Sequence, residues 1–472
     1  MSNILFGTDG WRAVIAEDFT IQNVERVSQA AADFWSNPLP EGTQKRVVLG
    51  YDRRFLSNAF ARCAAEVFAG NGYNVILAPN PTPTPSVSFA VKQMHAAGGV
   101  MITASHNPPA FNGYKLKSHL GSPCDPQTCQ QVESFLDRTP VRRMAFDEAL
   151  RAKRLLVRDL RPAHFSALKK HVDFPSIAKS RLRVAHDALF GVGANCFEQL
   201  LLGTSCEVTT LNAKHDPLFG GINPEPVAQN YRLSAAYLRK HPHDVCLVTD
   251  GDADRIGGMD GRGNYLSTHD LICLLLRHLF INRGNRGRVV KALTTTSMVD
   301  KMCAAYGLTL VETGVGFKYI AAEIVKGGVL LGAEESGGIG LPAHIPERDG
   351  LAAGLALLEM LATERKPIGK LLAGLEREYG PHHYDRIDMQ FPLEKCASLM
   401  QCLEQDPPAR LLGSPVIEVK TYDGVKLVAR DGSWLMVRSS GTEPVLRIYA
   451  EAGTPEATRL LLRKGMRLAR GI

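Results

Sequence analysis

The stretch Gly98-Gly99-Val100-Met101-Ile102-Thr103-Ala104-Ser105-His106-Asn107-Pro108 runs an apolar strand directly into a polar turn, and that junction sets the reading of the chain. Small and apolar residues in succession suit a strand covered on both faces, whereas Ser, Asn and Pro form turns. A serine presented at a strand end can carry a phosphoryl group. Outward from it, Arg46-Val47-Val48-Leu49-Gly50 reads as a strand, a helix begins after Ser57, Asn74-Val75-Ile76-Leu77 is a further strand, and Ser86 to Met94 a further helix. The order is βαβαβ, the signature of an α/β domain.

The pattern recurs. A second unit starts at Arg183-Val184-Ala185-His186-Asp187, turns through Gly191-Val192-Gly193, continues in a helix near Asn195 to Leu202 and reaches the strand Val245-Cys246-Leu247-Val248. A third opens at Arg288-Val289-Val290-Lys291, has a helix after Ser297, the strand Thr309-Leu310-Val311, a helix after Gly316 and the strand Gly328-Val329-Leu330-Leu331. In each unit a chemically rich loop follows a late strand: Ser105, then Asp250, then Glu334. Crevices beyond the carboxyl ends of such strands collect backbone donors and helix N-termini, which bind anions. Past Pro381-His382-His383 the pattern changes to alternating strands, Arg386 to Phe391, Val416 to Val419, Val425 to Ala429, Trp434 to Val437 and Val445 to Tyr449, closed by a helix from Pro455 to Arg470. The sequence therefore predicts three similar α/β domains with mixed sheets plus a smaller C-terminal α+β domain, spanning 1–150, 151–262, 263–372 and 373–472.

Composition narrows the function classes. The 472 residues exceed what one core organises, with 45% hydrophobic and 22% charged residues. No run of about 18 apolar residues could span a bilayer, so no membrane partner is expected. Met1-Ser2-Asn3-Ile4-Leu5-Phe6 lacks the basic flank and apolar region of a secretory signal, which points to the cytoplasm. The ten cysteines include no Cys-x-x-Cys pair, so neither zinc nor a disulfide framework is indicated by them. The net charge of +7 is spread rather than massed in a stripe, so small anions are the expected partners and nucleic acid is not.

Asp250-Gly251-Asp252-Ala253-Asp254-Arg255 alternates carboxylates with small residues, so its side chains can surround one hard cation, and magnesium fits best. An EF-hand fails, because Arg255 stands where glycine is needed and Gly261 where the bidentate glutamate belongs. A phosphatase whose first aspartate is the nucleophile competes for the same motif. Ser105 needs activation, which a cation on its phosphate ester would supply, with Arg255 and His106 as further donors. Lys115 reads as a proton carrier, provided that nearby cations depress its pKa. Glu334 and Ser336, in Glu334-Glu335-Ser336-Gly337, offer an acceptor and a donor–acceptor for two neighbouring sugar hydroxyls. Arg438-Ser439-Ser440-Gly441-Thr442-Glu443-Pro444 gathers Arg438, Ser440, Thr442 and the amide of Gly441 into an anion nest. Gly191-Val192-Gly193 lacks the third glycine of a dinucleotide fingerprint and is a plain turn.

Together these residues resemble the α-D-phosphohexomutase superfamily, the phosphoglucomutases and phosphomannomutases, in order from Phe6-Gly7-Thr8-Asp9-Gly10-Trp11-Arg12 to Arg447. The resemblance implies four domains around a central cleft, with Ser105 as phosphoserine and Asp250, Asp252 and Asp254 holding Mg2+ together with its phosphate. It places Glu334 and Ser336 at the sugar, and Arg438, Ser440, Gly441 and Thr442 at the non-reacting phosphate. Arg12, Lys115, Arg255 and Lys291 would complete a positive cleft, with Thr313, Gly314, Lys318 and Arg447 as further substrate contacts. Two positions depart from the family: Gly338 stands where many relatives have histidine, and Val315 where some have histidine. Glu335 looks like phosphoglucomutase or a dual gluco/manno enzyme, whereas the opening Gly7-Thr8-Asp9-Gly10 also resembles phosphoglucosamine mutase.

The expected activity is interconversion of hexose 1-phosphate and hexose 6-phosphate, for glucose or mannose, through a phosphoserine enzyme with glucose 1,6-bisphosphate as intermediate and activator. Phosphoglucosamine mutase is the alternative substrate reading. A sugar phosphatase and a non-catalytic phosphosugar-binding protein are the alternative classes. A monomer or homodimer is expected.

Overall fold

The computed structural model describes residues 4–7, 9–341, 344–439 and 444–471. It divides into two compact units, one of Met1–Val290 with Gly316–Gly369 and the other of Lys291–Val315 with Lys370–Ile472.

The first sheet of unit one has six strands in the order Trp11–Val14, Phe111–Lys117, Ala96–Ile102, Gln44–Tyr51, Asn74–Leu77, Leu155–Val157. Its middle strands pair in parallel, as the βαβαβ reading requires. Alternation along them assigns the two faces. Val47, Leu49, Val75, Leu77, Val100 and Ile102 join one apolar cluster with residues of the helices Ile21–Trp35 and Ser57–Gly70. Val48, Ile76 and Met101 point the other way, against Val87, Ala90 and Val91 of the helix Thr84–Gln93. A period of two on a sheet covered on both sides gives a continuous apolar run, which is why these strands are legible from sequence.

A second sheet has the order Tyr265–Leu266, Ile256–Asp260, Val245–Thr249, Arg183–Asp187, Glu207–Leu211. In the third repeat the strand Val329–Ala333 and its return strand Ile339–Gly340 lie in unit one, whereas the helix Met298–Tyr306 and the strand Leu310–Thr313 lie in unit two.

One device appears three times in unit one. Each late strand turns back into an antiparallel partner: Ala96–Ile102 into Phe111–Lys117, Val245–Thr249 into Ile256–Asp260, and Val329–Ala333 into Ile339–Gly340. Ser105, Asp250 and Glu334 each sit in the connecting loop. The return strands are not evident in the sequence, because Asn112-Gly113 interrupts the first, Gly257-Gly258 the second, and the third is two residues long.

Unit two contains a six-stranded sheet in the order His383–Gln390, Val445–Ala452, Trp434–Ser439, Val425–Ala429, Ser414–Lys420, Arg410–Leu411, with every neighbour antiparallel. The closing helix Pro455–Arg470 is capped by Thr454, whose hydroxyl accepts from the Ala457 amide. A helix at Leu393–Gln405, unanticipated by the sequence reading, adds Leu399 and Leu403 to the core. No helix among the described residues is long and apolar enough to cross a membrane.

Candidate active site

Ser105 follows the strand Ala96–Ile102 with a left-handed backbone (φ 52°), unusual for a side-chain-bearing residue. Neighbouring groups over-determine that conformation. The Ser105 amide donates to Thr103 Oγ1 at 2.8 Å, and Thr103 Oγ1 donates to Asp52 Oδ2 at 2.7 Å. Arg54, fully buried and paired with Asp52 at 3.1 Å, donates to the carbonyls of Ser105 (2.7 Å), Asn107 (2.6 Å), Pro108 (2.7 Å) and Phe111 (3.0 Å). One guanidinium thus holds the whole serine turn.

The aspartate loop packs onto this turn. Ser105 Oγ donates to Asp250 Oδ2 at 2.8 Å, and His106 Nδ1 lies 3.5 Å from the same hydroxyl. Gly251 permits the approach, since a Cβ there would come 2.5 Å from the Ser105 carbonyl oxygen. Thr84 Oγ1 donates to Asp252 Oδ2 at 2.5 Å, fixing the loop against the helix Thr84–Gln93.

Asp250, Asp252 and Asp254 are fully buried, with ligand oxygens all within 4.8 Å of one another. Asp252 Oδ1 and Asp254 Oδ1 are buried without a hydrogen-bond partner. Burial, with Asp252 and Asp254 adding to it, pushes the Asp250 carboxyl well above its ordinary range. An all-oxygen, crowded, under-satisfied set suits a small hard divalent cation, so these residues fit magnesium.

Cations surround the carboxylates. Lys115 Nζ donates to Asp252 at 2.9 Å and Asp254 at 3.0 Å and pairs with Asp9 at 2.8 Å. Arg12 reaches Asn107 Oδ1 at 2.6 Å and Asp9 at 3.2 Å. Arg255 is buried beside them, and its amide donates to Asp250 Oδ1 at 3.1 Å. Arg348 pairs with Asp9, with Asp254 at 2.8 Å and with Glu334 at 3.2 Å.

These contacts correct the expectation for Lys115. Burial alone would lower its pKa, but Asp252, Asp254 and Asp9 outweigh burial and raise it in the metal-free cluster, opposite to the depression the proton-carrier reading required. His106 goes the other way: burial first, then Arg255, Arg12 and Lys115, hold it well below the ordinary imidazole range and therefore neutral.

The Glu334 loop closes the same cluster. Ser336 Oγ donates to Glu334 Oε1 at 2.9 Å, and the Ile256 amide donates to the Gly337 carbonyl at 2.9 Å. At Gly338 a Cβ would lie 2.6 Å from Glu334 Oε1 and 2.9 Å from Arg348 Cδ, so the glycine is what lets Arg348 reach Glu334. Lys318 lines a small cavity with Asp9, Gly10 and Lys115.

The remaining expected residues lie in unit two. Arg438 and Arg447 are register partners on adjacent strands and share one sheet face. Arg438 Nε donates to Asp423 Oδ1 at 2.8 Å, and the other oxygen of Asp423 accepts from the Val315 amide at 2.6 Å, next to Thr313 and Gly314. Ser440, Gly441 and Thr442 lie outside the described residues. Lys291 corrects another expectation: its ammonium is buried and engaged by Asp300, by the carbonyls of Thr295 and Thr296, and by Glu312 at 3.6 Å, so it braces unit two internally.

Asp9, Arg54, Arg348 and Asp423 escape the sequence reading. Asp52-Arg53-Arg54 follows the strand Gln44–Tyr51 and obeys the strand-end rule, so Arg54 carries a signal that could find it. Asp9 stands in the quoted opening motif. Nothing local marks Arg348, whose partner Asp9 lies at the other end of unit one in sequence.

A buried serine bonded to one of three buried aspartates, with converging cations, defines the class as an α/β enzyme equipped for phosphoryl transfer. Family models described as Phosphoglucomutase/phosphomannomutase alpha/beta/alpha domains I, II and III match residues 3–142, 162–263 and 267–379, and the C-terminal domain model matches 399–464. A probable phosphoglucosamine mutase of Methanothermobacter thermautotrophicus is 30% identical over 97% of this chain and 96% of its own. A phosphoglucomutase/phosphomannomutase of Thermococcus kodakarensis is 28% identical over 98% of both chains. The crystal structure of a provisionally assigned phosphomannomutase from Thermus thermophilus superposes with a TM-score of 0.87 at 35% identity, covering 100% of both chains. The chain belongs to the phosphoglucomutase/phosphomannomutase family, within the phosphohexomutase superfamily, and has the mutase activity of that family.

Proposed function

We propose that the chain interconverts hexose 1-phosphate and hexose 6-phosphate, for glucose or mannose, with Ser105 as phosphoryl carrier and a hexose 1,6-bisphosphate as intermediate and activator. The observation that carries this reading is the 2.8 Å bond from Ser105 Oγ to Asp250 in a crowded buried aspartate cluster. With Ser105 phosphorylated, the bond from Oγ to phosphorus breaks as one forms to O6 of hexose 1-phosphate. The hydroxyl proton passes to a base of the surrounding cluster. The bisphosphate then turns end for end, the bond from O1 to phosphorus breaks as one forms to Ser105 Oγ, O1 takes back the proton from the same cluster, and hexose 6-phosphate leaves.

Mg2+ held by Asp250, Asp252 and Asp254 would withdraw charge from the phosphoryl oxygens. The chain supplies the rest. Arg54 fixes the turn so that Oγ meets its acceptor in one orientation, and orientation is worth several kcal/mol. Lys115, Arg12, Arg255 and Arg348 provide fixed positive charge where the transferring group gains negative charge. In unit one, Glu334 and Ser336 are proposed to take sugar hydroxyls with Lys318 as a further contact; in unit two, Arg438 and Arg447 are proposed to take phosphate, with Thr313 and Gly314 as further contacts. Ser105 and the aspartates are buried, and burial retained on phosphorylation would keep water from the phosphoserine, whose hydrolysis would waste the carrier. The bodies 1–150, 151–262, 263–372 and 373–472 are proposed as its functional divisions, and the partners as phosphosugars.

The expected outcome of Ser105→Ala is a loss of turnover above about 1,000-fold, with a phosphoryl mass adduct on wild type and none on the variant. Chelation of magnesium abolishes activity and added glucose 1,6-bisphosphate raises it. Full turnover by the variant would overturn the reading. Release of inorganic phosphate in step with substrate loss would mark a phosphatase, and binding without conversion a sensor. Glucosamine phosphate is the second substrate reading, because a relative at 30% identity is named for it. Comparing kcat/KM for glucose, mannose and glucosamine 1-phosphates decides.

A further inference from the structure

We propose that His164, His344 and Asp349 form a second metal site, apart from the aspartate cluster, for a divalent transition ion of the zinc class. Their ligand atoms lie within 4.8 Å of one another and all three residues are buried. Two imidazoles and one carboxylate make a nitrogen-rich set that suits zinc rather than magnesium.

Each side chain is prepared for the role. His344 is buried, yet neither ring nitrogen has a hydrogen-bond partner, a penalty that a metal bond would remove. Asp349 caps the helix Gly350–Glu364, Oδ1 accepting from the amides of Leu351 and Ala352, which leaves Oδ2 for other partners. That oxygen is hydrogen-bonded to His164 Nε2 at 2.8 Å, a proton bridge that a metal ion would replace, and lies 3.6 Å from His344 Nε2. On the far side of His164, Nδ1 is 2.9 Å from Ser86 Oγ, the outer partner that orients a ligating imidazole.

The rings of His164 and His344 are stacked, 19° between their planes, with centroids 5.0 Å apart. With zinc–nitrogen bonds of about 2.1 Å, two imidazoles on one tetrahedral ion have centres roughly 5 Å apart. His344 also lines a cavity of about 210 Å³ with His171, Leu168, Leu279 and Arg283.

The consequence is positional. His344-Ile345-Pro346-Glu347-Arg348-Asp349 carries metal ligands at both ends, and between them lie Arg348, which pairs with Asp9, Asp254 and Glu334, and Glu347, which accepts from Lys117 at 2.5 Å. An ion on the two ends would fix this segment against the helix Arg161–Lys170 that bears His164.

Cobalt(II) is the probe. The full chain, stripped by chelator and returned to excess magnesium so that the aspartates are filled, is titrated with cobalt while visible absorption is read. Expected is the intense absorption of tetrahedral cobalt, saturating at one equivalent. His344→Gln, which removes no side-chain hydrogen bond of the fold, weakens binding more than tenfold, and Ser86→Ala weakens it by about tenfold through the outer partner. Absence of the absorption in wild type, or its persistence undiminished in both variants, would overturn the proposal.

Discussion

At the scale of single residues, the serine is only as useful as the guanidinium behind it. Arg54 spreads its donors over four carbonyls of the turn, and a lysine offers a point charge that reaches fewer of them. Arg54→Lys is expected to leave the fold intact and to lower kcat by about 100-fold, because a displacement near 1 Å at a reacting atom has that effect. Steady-state kinetics beside near-UV circular dichroism check it; unchanged kcat would show that the turn holds itself. Charge placement works in the same way. Lys115 is legible as a cation, but the three carboxylates that fix its proton come from residues 9, 252 and 254, so its protonation state is not.

Among elements, the repeated hairpin explains where chemistry gathers. A strand that turns back on itself exposes a loop whose ends are fixed by ladder bonds, and unit one uses that loop for serine, for aspartates and for the glutamate. The outgoing strands are readable as apolar runs, and the returning ones are hidden by glycine, asparagine and lysine. In unit two, Asp423 performs the joining, with one oxygen on Arg438 and the other on the Val315 amide. Asp423→Ala is expected to raise KM for the phosphosugar about tenfold with little change in kcat, since it removes hydrogen bonds to a charged group that positions rather than reacts. An equal fall in kcat would place Asp423 in the chemical step.

Over the whole molecule, stability follows buried groups that cannot take up protons. His186 lies in the core of the second sheet with Nε2 3.0 Å from Thr249 Oγ1, and burial pushes its pKa down to about 3. The unfolded chain protonates the same ring near pH 6.5, so acid favours unfolding from about that pH down to about 3, at about 1.4 kcal/mol per pH unit. Above that window the contribution is fully present. His186→Gln is expected to shrink the fall in unfolding temperature between about pH 6.5 and 5, measured by calorimetry. An identical acid slope would assign the loss to other groups.

The sequence by itself determined the three α/β repeats, the strands and closing helix of the C-terminal α+β domain, and the loops that bear Ser105, the aspartates and Glu334. Those features are local: apolar periodicity and turn residues act over a few positions, and a loop after a strand is visible within a short window. Only the tertiary structure decided that Arg348 joins Asp9, Asp254 and Glu334, that Lys291 turns inward onto Asp300, and that His164 meets Asp349. Burial strips water from charges and leaves each to its nearest partner, and which partner is nearest depends on how distant segments pack.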